Sequence, residues 1–457
     1  MIEFPKYETY KDSGVDWLGE IPSVWSLATI RAVTELKSEK GQPNLPVLSV
    51  YREYGVILKD SRDDNHNATS LDTSGYKVVN KGDLVVNKMK AWQGSMGVSE
   101  YNGIVSPAYI TCRVDSDRVF PKFLHYLLRS QPYIGVYNAL SYGVRVGQWD
   151  MHYEDFKSIP LPLPDRSCQD RIANFLDQKT AEIDEAIAKK QRLIELLKEQ
   201  KAILINQAVT KGLNPDVPMR ESGVEWIGEV PGHWEMPPLY ARFRIELGKM
   251  LDAKRITGKH LVRYLRNTDV QWGKIDTEDL PEMDIHPFEL SRYAVRNGDL
   301  LVCEGGEIGR CAIWESDVPG QIVGFQKALH RVRAFLPINE NIRYLYYVMM
   351  AAGHLGAFQL TAKTNTISPL TGEMFRVYRF PQPPKCEQDS IVEILNSVCG
   401  ESDNIIQKEK DSITLLNQLK SIVIASAVTG KIKIPEPPLA PTLSVRAYGR
   451  TPLREKE

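Results

Sequence analysis

The chain has 457 residues, 42% of them hydrophobic, with a formal net charge of -1. That length predicts two or more folded domains with real cores, and the near-neutral balance argues against a protein that coats nucleic acid non-specifically. The six cysteines form no CxxC pair, the N-terminus lacks the apolar core of a signal peptide, and no apolar run approaches the roughly 18 residues of a membrane span. The expectation is therefore a cytoplasmic protein without a membrane anchor.

In chain order, the first distinctive element is DSGVDWLGEIPSVWSL at 12–27, which returns as ESGVEWIGEVPGHWEM at 221–236 with eight of sixteen positions identical. Such self-similarity at long range marks a duplicated unit, too long to be a solenoid repeat. Next, KGDLVVNK at 81–88 echoes NGDLLVCE at 297–304, where Gly-Asp turns into an apolar run of strand type. A third echo pairs Gln169–Thr210 with Gln388–Thr429, each ending in Ala-Val-Thr. The order is kept and only the spacing drifts, so insertions fall in loops. Each copy reads as the WxGExPxxW segment, a mixed α+β stretch broken by Gly, Pro and Asn, and one long helix.

The helices are entered through IPLPLP at 159–164 and FPQPP at 380–384. The second carries a four-three heptad seam of Ile391, Leu395, Val398, Ser402, Ile405, Glu409, Ser412, Leu416, Leu419 and Val423. Its counterpart in the first runs through Ile172, Leu176, Lys179, Ile183, Ala186, Lys190, Leu193, Leu197, Gln200 and Leu204. At about 40 residues each would be roughly 60 Å long. Polar positions interrupt both seams, so the helices are expected to pack on each other, antiparallel. The sequence divides into a first domain at 1–160, a first helix at 161–212, a second domain at 213–382, a second helix at 383–433 and a disordered Pro-rich tail at 434–457.

These features together resemble the specificity subunits of type I restriction-modification enzymes. The resemblance spans Asp12 to Lys433 and rests on the paired WLGEIPSVW and WIGEVPGHW segments, the two GDL turns, and the helices ending in AVTKG and AVTGK. The stretch VVNKMKAWQGSMGVSEYNGIVSPAYI at 85–110 also looks like a frequent variant of the family's target-recognition domain. The implied fold is α+β, with two pseudo-repeated target-recognition domains separated by two long antiparallel coiled-coil helices. The implied function is reading a bipartite site in double-stranded DNA while docking two modification subunits, which two restriction subunits can join. S-adenosylmethionine would belong to the modification subunits, and ATP with magnesium to the restriction subunits, leaving this chain without a cofactor.

The residues themselves offer no catalytic motif: no GxxxxGK[ST] loop, no GxGxxG, no HExxH and no methyltransferase motif of NPPF or DPPY type. Eight scattered histidines show no ligand spacing, so no metal is expected. Pro164-Asp165 followed by Asp177-Gln178-Lys179 fits the letters of a nuclease pattern, but Asp177 and Lys179 fall inside the predicted helix. A coiled-coil scaffold binding only proteins would not need two elaborate mixed domains, and a self-contained DNA-modifying enzyme would need one of the missing motifs.

Candidate DNA contacts in the first domain are Asn87, Lys88, Lys90, Trp92, Gln93 and Ser95, where cations, amides and an aromatic alternate in one loop. Arg145 and Gln148 in SYGVRVGQW follow. In the second domain the candidates are Arg263, Arg266, Asn267 and Gln271, with Lys363 and Asn365 near Arg145 in the repeat alignment. Eight Lys or Arg between Arg242 and Arg266 could form a phosphate-binding stripe or merely a solvated face. Trp17, Trp25, Trp226 and Trp234 recur in both copies, which suits packing of each domain against the far helix, since recognition residues should differ between half-sites.

Overall fold

The structure, a computed structural model, describes residues 4–62, 72–143, 149–251, 257–315, 322–358 and 369–436. It divides into two compact units, one formed by Met1–Lys189 with Ser412–Glu457 and the other by Lys190–Asp411. Each unit therefore takes one mixed domain, part of one long helix and the opposite end of the other.

The two domains share one sheet plan. In the first unit, β1 (Thr34–Lys37), β2 (Leu84–Val86), β3 (Met96–Val98) and β4 (Ile110–Val114) form an antiparallel sheet in the order β1-β4-β2-β3. In the second, β5 (Phe243–Leu247), β6 (Leu300–Cys303), β7 (Cys311–Ile313) and β8 (Leu329–Ala334) repeat it as β5-β8-β6-β7. The echoed Gly-Asp explains how each central strand begins. Gly82 and Gly298 sit at φ +95° and +85°, a left-handed turn that disfavours a side chain. The following Asp83 and Asp299 are buried and accept the backbone N–H of Asn80 and Arg296 at 2.8 and 2.7 Å. Each carboxylate also meets a cation from another strand of its sheet, Lys37 on β1 at 2.9 Å and Arg333 on β8 at 2.6 Å.

The long helices are α1 (Arg166–Lys211) and α2 (Lys385–Val428). Gln169 and Gln388, equivalent and fully buried, anchor their first turns identically: each side-chain carbonyl accepts a domain N–H, from Phe120 at 2.7 Å and Asn341 at 2.8 Å. Each amide donates to the proline carbonyl before the helix, Pro164 at 3.0 Å and Pro383 at 2.9 Å. Within the second unit, Lys190 pairs with Glu409 and Lys201 with Asp403, both at 2.7 Å, so as one helix advances the other retreats. Asp184 and Lys420 continue that antiparallel sense within the first unit.

The heptad seam is buried at the helix starts, at Ile172, Leu176, Ile391 and Leu395, and again at Val423, and slips by one residue at several positions between. Leu193, Ile405 and Leu419 are exposed, while Ile194 and Ile406 are buried. A straight helix drifts about 20° per heptad, and the interrupted seam lacks the apolar area to hold it in supercoiled register. The expected tail lies outside the described residues from 437 onward.

The repeated tryptophans divide into two roles. Trp25 and Trp234 are 2% and 1% exposed and pack on Gly430 and Gly212, just past the ends of α2 and α1. Trp17 and Trp226 instead pack edge-on against aromatics of their own domains, Tyr133 at 5.0 Å and Phe380 at 6.0 Å. Seating against a helix end thus belongs to one tryptophan of each pair.

Candidate nucleic-acid interface

The first candidate surface is the connection between β2 and β3. The Asn87 N–H donates to the Ser95 carbonyl at 3.0 Å, closing a loop whose body is the 3-10 turn Lys88–Gln93. Asn87 and Ser95 are buried at 5% and 2% exposure, so both brace the loop from below. The Asn87 amide donates to the Tyr109 hydroxyl at 3.3 Å. Lys90 is exposed, Trp92 and Gln93 are half-buried, and Lys88 reaches Asp150 at 2.7 Å. Trp149 packs edge-on to Trp92 at 5.2 Å, and the Met151 N–H donates to the Lys88 carbonyl at 3.1 Å. Residues 149–151 therefore belong to the same surface. Arg145 and Gln148 lie outside the described residues.

Against β3, His125 accepts the Val98 N–H through Nδ1 at 3.3 Å. Burial and the neighbouring Arg129 guanidinium push its pKa down to about 4, so the ring is neutral at physiological pH. Arg129 donates to the carbonyls of Met96 at 2.8 Å, Arg52 at 2.9 Å and Glu53 at 2.8 Å, tying the β2–β3 hairpin to the adjacent hairpin of Leu48–Tyr51 and Gly55–Leu58.

In the second unit folding splits the basic stripe, with some of its described cations committed to acids and others left exposed. Arg242 is buried in an ion pair with Glu340 at 2.7 Å, and Lys249 pairs with Glu289 at 2.5 Å. Arg244 lies 3.4 Å from Glu246, and Lys254 and Arg255 are outside the described residues. Arg266 is held by Asp269 at 2.8 Å and donates to the Asp279 carbonyl at 2.9 Å, so its guanidinium is committed within the domain. Lys259 and Arg263 remain exposed. The turn beside Lys259 directs the N–H groups of Thr257, Gly258 and His260 at Asp284, whose carboxyl they lower to a pKa of about 2; that anion cradle is already filled.

Asn267 supports a different element. Its amide donates to the Gly305 carbonyl at 3.0 Å, and its own carbonyl accepts from Arg310 at 2.9 Å. Gln271 is exposed beside it, its amide turned to the Thr268 carbonyl at 2.8 Å. Lys363 and Asn365 lie outside the described residues. The supported element is the loop Glu304–Arg310 between β6 and β7, the structural counterpart of the β2–β3 loop. Sequence reasoning passed over it, although the echo of KGDLVVNK in NGDLLVCE already aligns the preceding strands. Trp272 and Glu307 join it through a hydrogen bond from the indole N–H to the carboxylate at 2.5 Å.

No cluster of three or more His, Cys, Asp or Glu suited to a metal ion occurs among the described residues, and no described helix is long and apolar enough to cross a membrane. The nuclease-like letters have structural uses: Asp165 accepts the Cys168 N–H at 2.9 Å as the cap of α1, and Asp177 accepts the Tyr126 hydroxyl at 2.8 Å.

Residues 289–415 match the family described as type I restriction modification DNA specificity domain. The chain is 24% identical over 375 residues to the MjaVIII specificity subunit of Methanocaldococcus jannaschii, covering 78% of this chain and 82% of that one. It is 22% identical over 441 residues to the EcoKI specificity subunit of Escherichia coli K12, covering 91% and 90%. In fold it is similar to the HsdS subunit of Thermoanaerobacter tengcongensis, with a TM-score of 0.52 at 15% identity over 90% of this chain and 98% of that one. A chain of a type I R-M system solved in a study of its assembly gives a TM-score of 0.68 at 15% identity, over 89% and 98%. Over most of its length the chain is thus similar to specificity subunits of type I restriction-modification systems, at 22% and 24% identity, and part of it matches their DNA specificity domain.

Proposed function

We propose that this chain reads a bipartite site in double-stranded DNA, one half-site per domain, within a type I restriction-modification complex. The carrying observation is the pair of loops at the same place in the two sheets, KMKAWQ after β2 and EGGEIGR after β6. The scaffold is repeated and the presented residues differ, as two readers of different sequences require. In the first domain Lys90 serves phosphates, joined by Lys88 where a phosphate displaces its Asp150 partner, and Trp92 and Gln93 face base edges, with Asn87 and Ser95 as supports. In the second, Gln271 and Arg263 face DNA, while Arg266 and Asn267 shape the surface. Arg145, Gln148, Lys363 and Asn365 remain candidate contacts on chemical grounds.

The subunit is non-catalytic. It docks two modification subunits, which hold S-adenosylmethionine, and two restriction subunits, which use ATP and magnesium, and the complex works in the cytoplasm. Exposed apolar residues at equivalent helix positions support a paired docking: Leu196 and Ile203 on α1, 45% and 48% exposed, correspond to Leu415 and Ile422 on α2, 64% and 61% exposed. Large apolar side chains repeated at matching exposed positions suit two copies of one partner. Mapping methylated adenines in a host carrying the modification subunit, with and without this chain, tests the proposal. A bipartite methylated motif that appears only with the chain is expected; its absence despite expressed modification subunits would overturn the reading.

A further inference from the structure

The β6–β7 loop carries a carboxylate where a DNA-facing surface would be expected to avoid one. Glu307 has 57% of its side chain exposed and is fixed from two sides, by the Trp272 indole N–H at 2.5 Å and by Arg310 at 3.7 Å. Arg310, 14% exposed, is in turn bound to the Asn267 carbonyl at 2.9 Å. The loop can approach a partner closely: Gly306 and Gly309 take φ +74° and +81°, and Gly305 has open space where a Cβ would stand. Beside the carboxylate opens a cavity of about 320 Å³ lined by Trp272, Ile308 and Phe358 with Gly306, Gly353 and Gly356.

Phosphates repel a carboxylate, so one held rigidly on a reading loop is useful only where it meets a hydrogen-bond donor. In the major groove, guanine offers two acceptors, thymine an acceptor and a methyl group, and adenine an amine flanked by the N7 acceptor. Cytosine alone offers its amine without an adjoining acceptor. We infer that Glu307 is a specificity-determining residue that accepts a hydrogen bond from a cytosine amine in the second half-site, with Trp272 and Arg310 as the residues that position it. One of the carboxylate's roughly four lone-pair sites is engaged, by the Trp272 N–H, while Arg310 at 3.7 Å contributes only an ion pair, which leaves acceptor capacity for the base. The inference rests on the two-reader function proposed above and deepens it.

The test is methylation-motif mapping of the full complex carrying E307Q or E307A beside the unaltered chain. The unaltered chain must first yield a bipartite motif; if it does not, the two-reader function fails. Given that motif, E307A should relax a cytosine requirement at one position of the second half-site, lowering discrimination there about tenfold or more, with the first half-site unchanged. E307Q, isosteric and able to donate as well as accept, should broaden the same position to bases with acceptors. Unchanged motifs in both variants, a change confined to the first half-site, or a uniform loss of methylation with the motif intact would each overturn the assignment.

Discussion

Trp25 lies so close to Gly430 that a Cβ placed there would stand 3.2 Å from the ring and 2.4 Å from Pro22, and Gly212 meets Trp234 in the same way at 3.1 Å. Both glycines have φ of +74°, so a side chain is opposed by backbone conformation and by contact. Gly430→Ala should cost the first unit about 2 kcal/mol, and Gly212→Ala a similar amount in the second. Thermal unfolding followed by calorimetry checks this; an unchanged profile in both variants would show that these contacts do not hold the domains to the helix ends.

Asp83 and Lys37 form an ion pair 2.9 Å apart with side chains only 6% and 4% exposed. Removing Asp83 leaves the buried Lys37 ammonium with only the half-exposed Glu39 carboxylate, 3.4 Å away, and takes the acceptor from the Asn80 N–H. Asp83→Ala should therefore destabilise the first unit by roughly 3–5 kcal/mol, and the double change Asp83→Ala with Lys37→Met should recover part of that loss. Urea denaturation of the three variants measures it.

His125 is neutral in the fold because burial holds its pKa near 4, whereas an unfolded histidine titrates near 6.5. Above about pH 6.5 both states are neutral and nothing is lost. Below it the unfolded state takes up the proton first, so stability of the first unit should fall as the pH drops from about 6.5 toward 4, by on the order of 2 kcal/mol at pH 5. His125→Gln should remove this part of the pH dependence. Parallel acid-unfolding curves for the two proteins would contradict the assignment.

Lys90, exposed on the first reading loop, is expected to contact phosphate. Lys90→Gln in the assembled complex should weaken binding alike on all sequences and reduce the salt slope by about one. Binding titrations at several salt concentrations would show this, and a changed base preference would assign Lys90 to base reading.

Much of this was legible in the sequence because its signals are local. Gly82–Asp83 and Gly298–Asp299 announce a turn and a strand, and the proline runs before Gln169 and Gln388 announce helix starts. What remained hidden depends on distant partners. The charges of Arg242 and Lys249 look available until Glu340 and Glu289 fold against them. Asn87 and Ser95 resemble contacts until the hairpin closes over them. The β6–β7 loop, with three glycines and two acids, lacks the cationic composition by which the β2–β3 loop was found.

The central claim is that each domain is a separate reader. Exchanging residues 28–158 for the corresponding segment of a related subunit with a different motif keeps the helices, the second sheet and the repeated WxGExPxxW segments. Methylation mapping of the exchanged complex should show one half-site replaced and the other retained. Simultaneous change of both half-sites, or retention of both, would contradict the account.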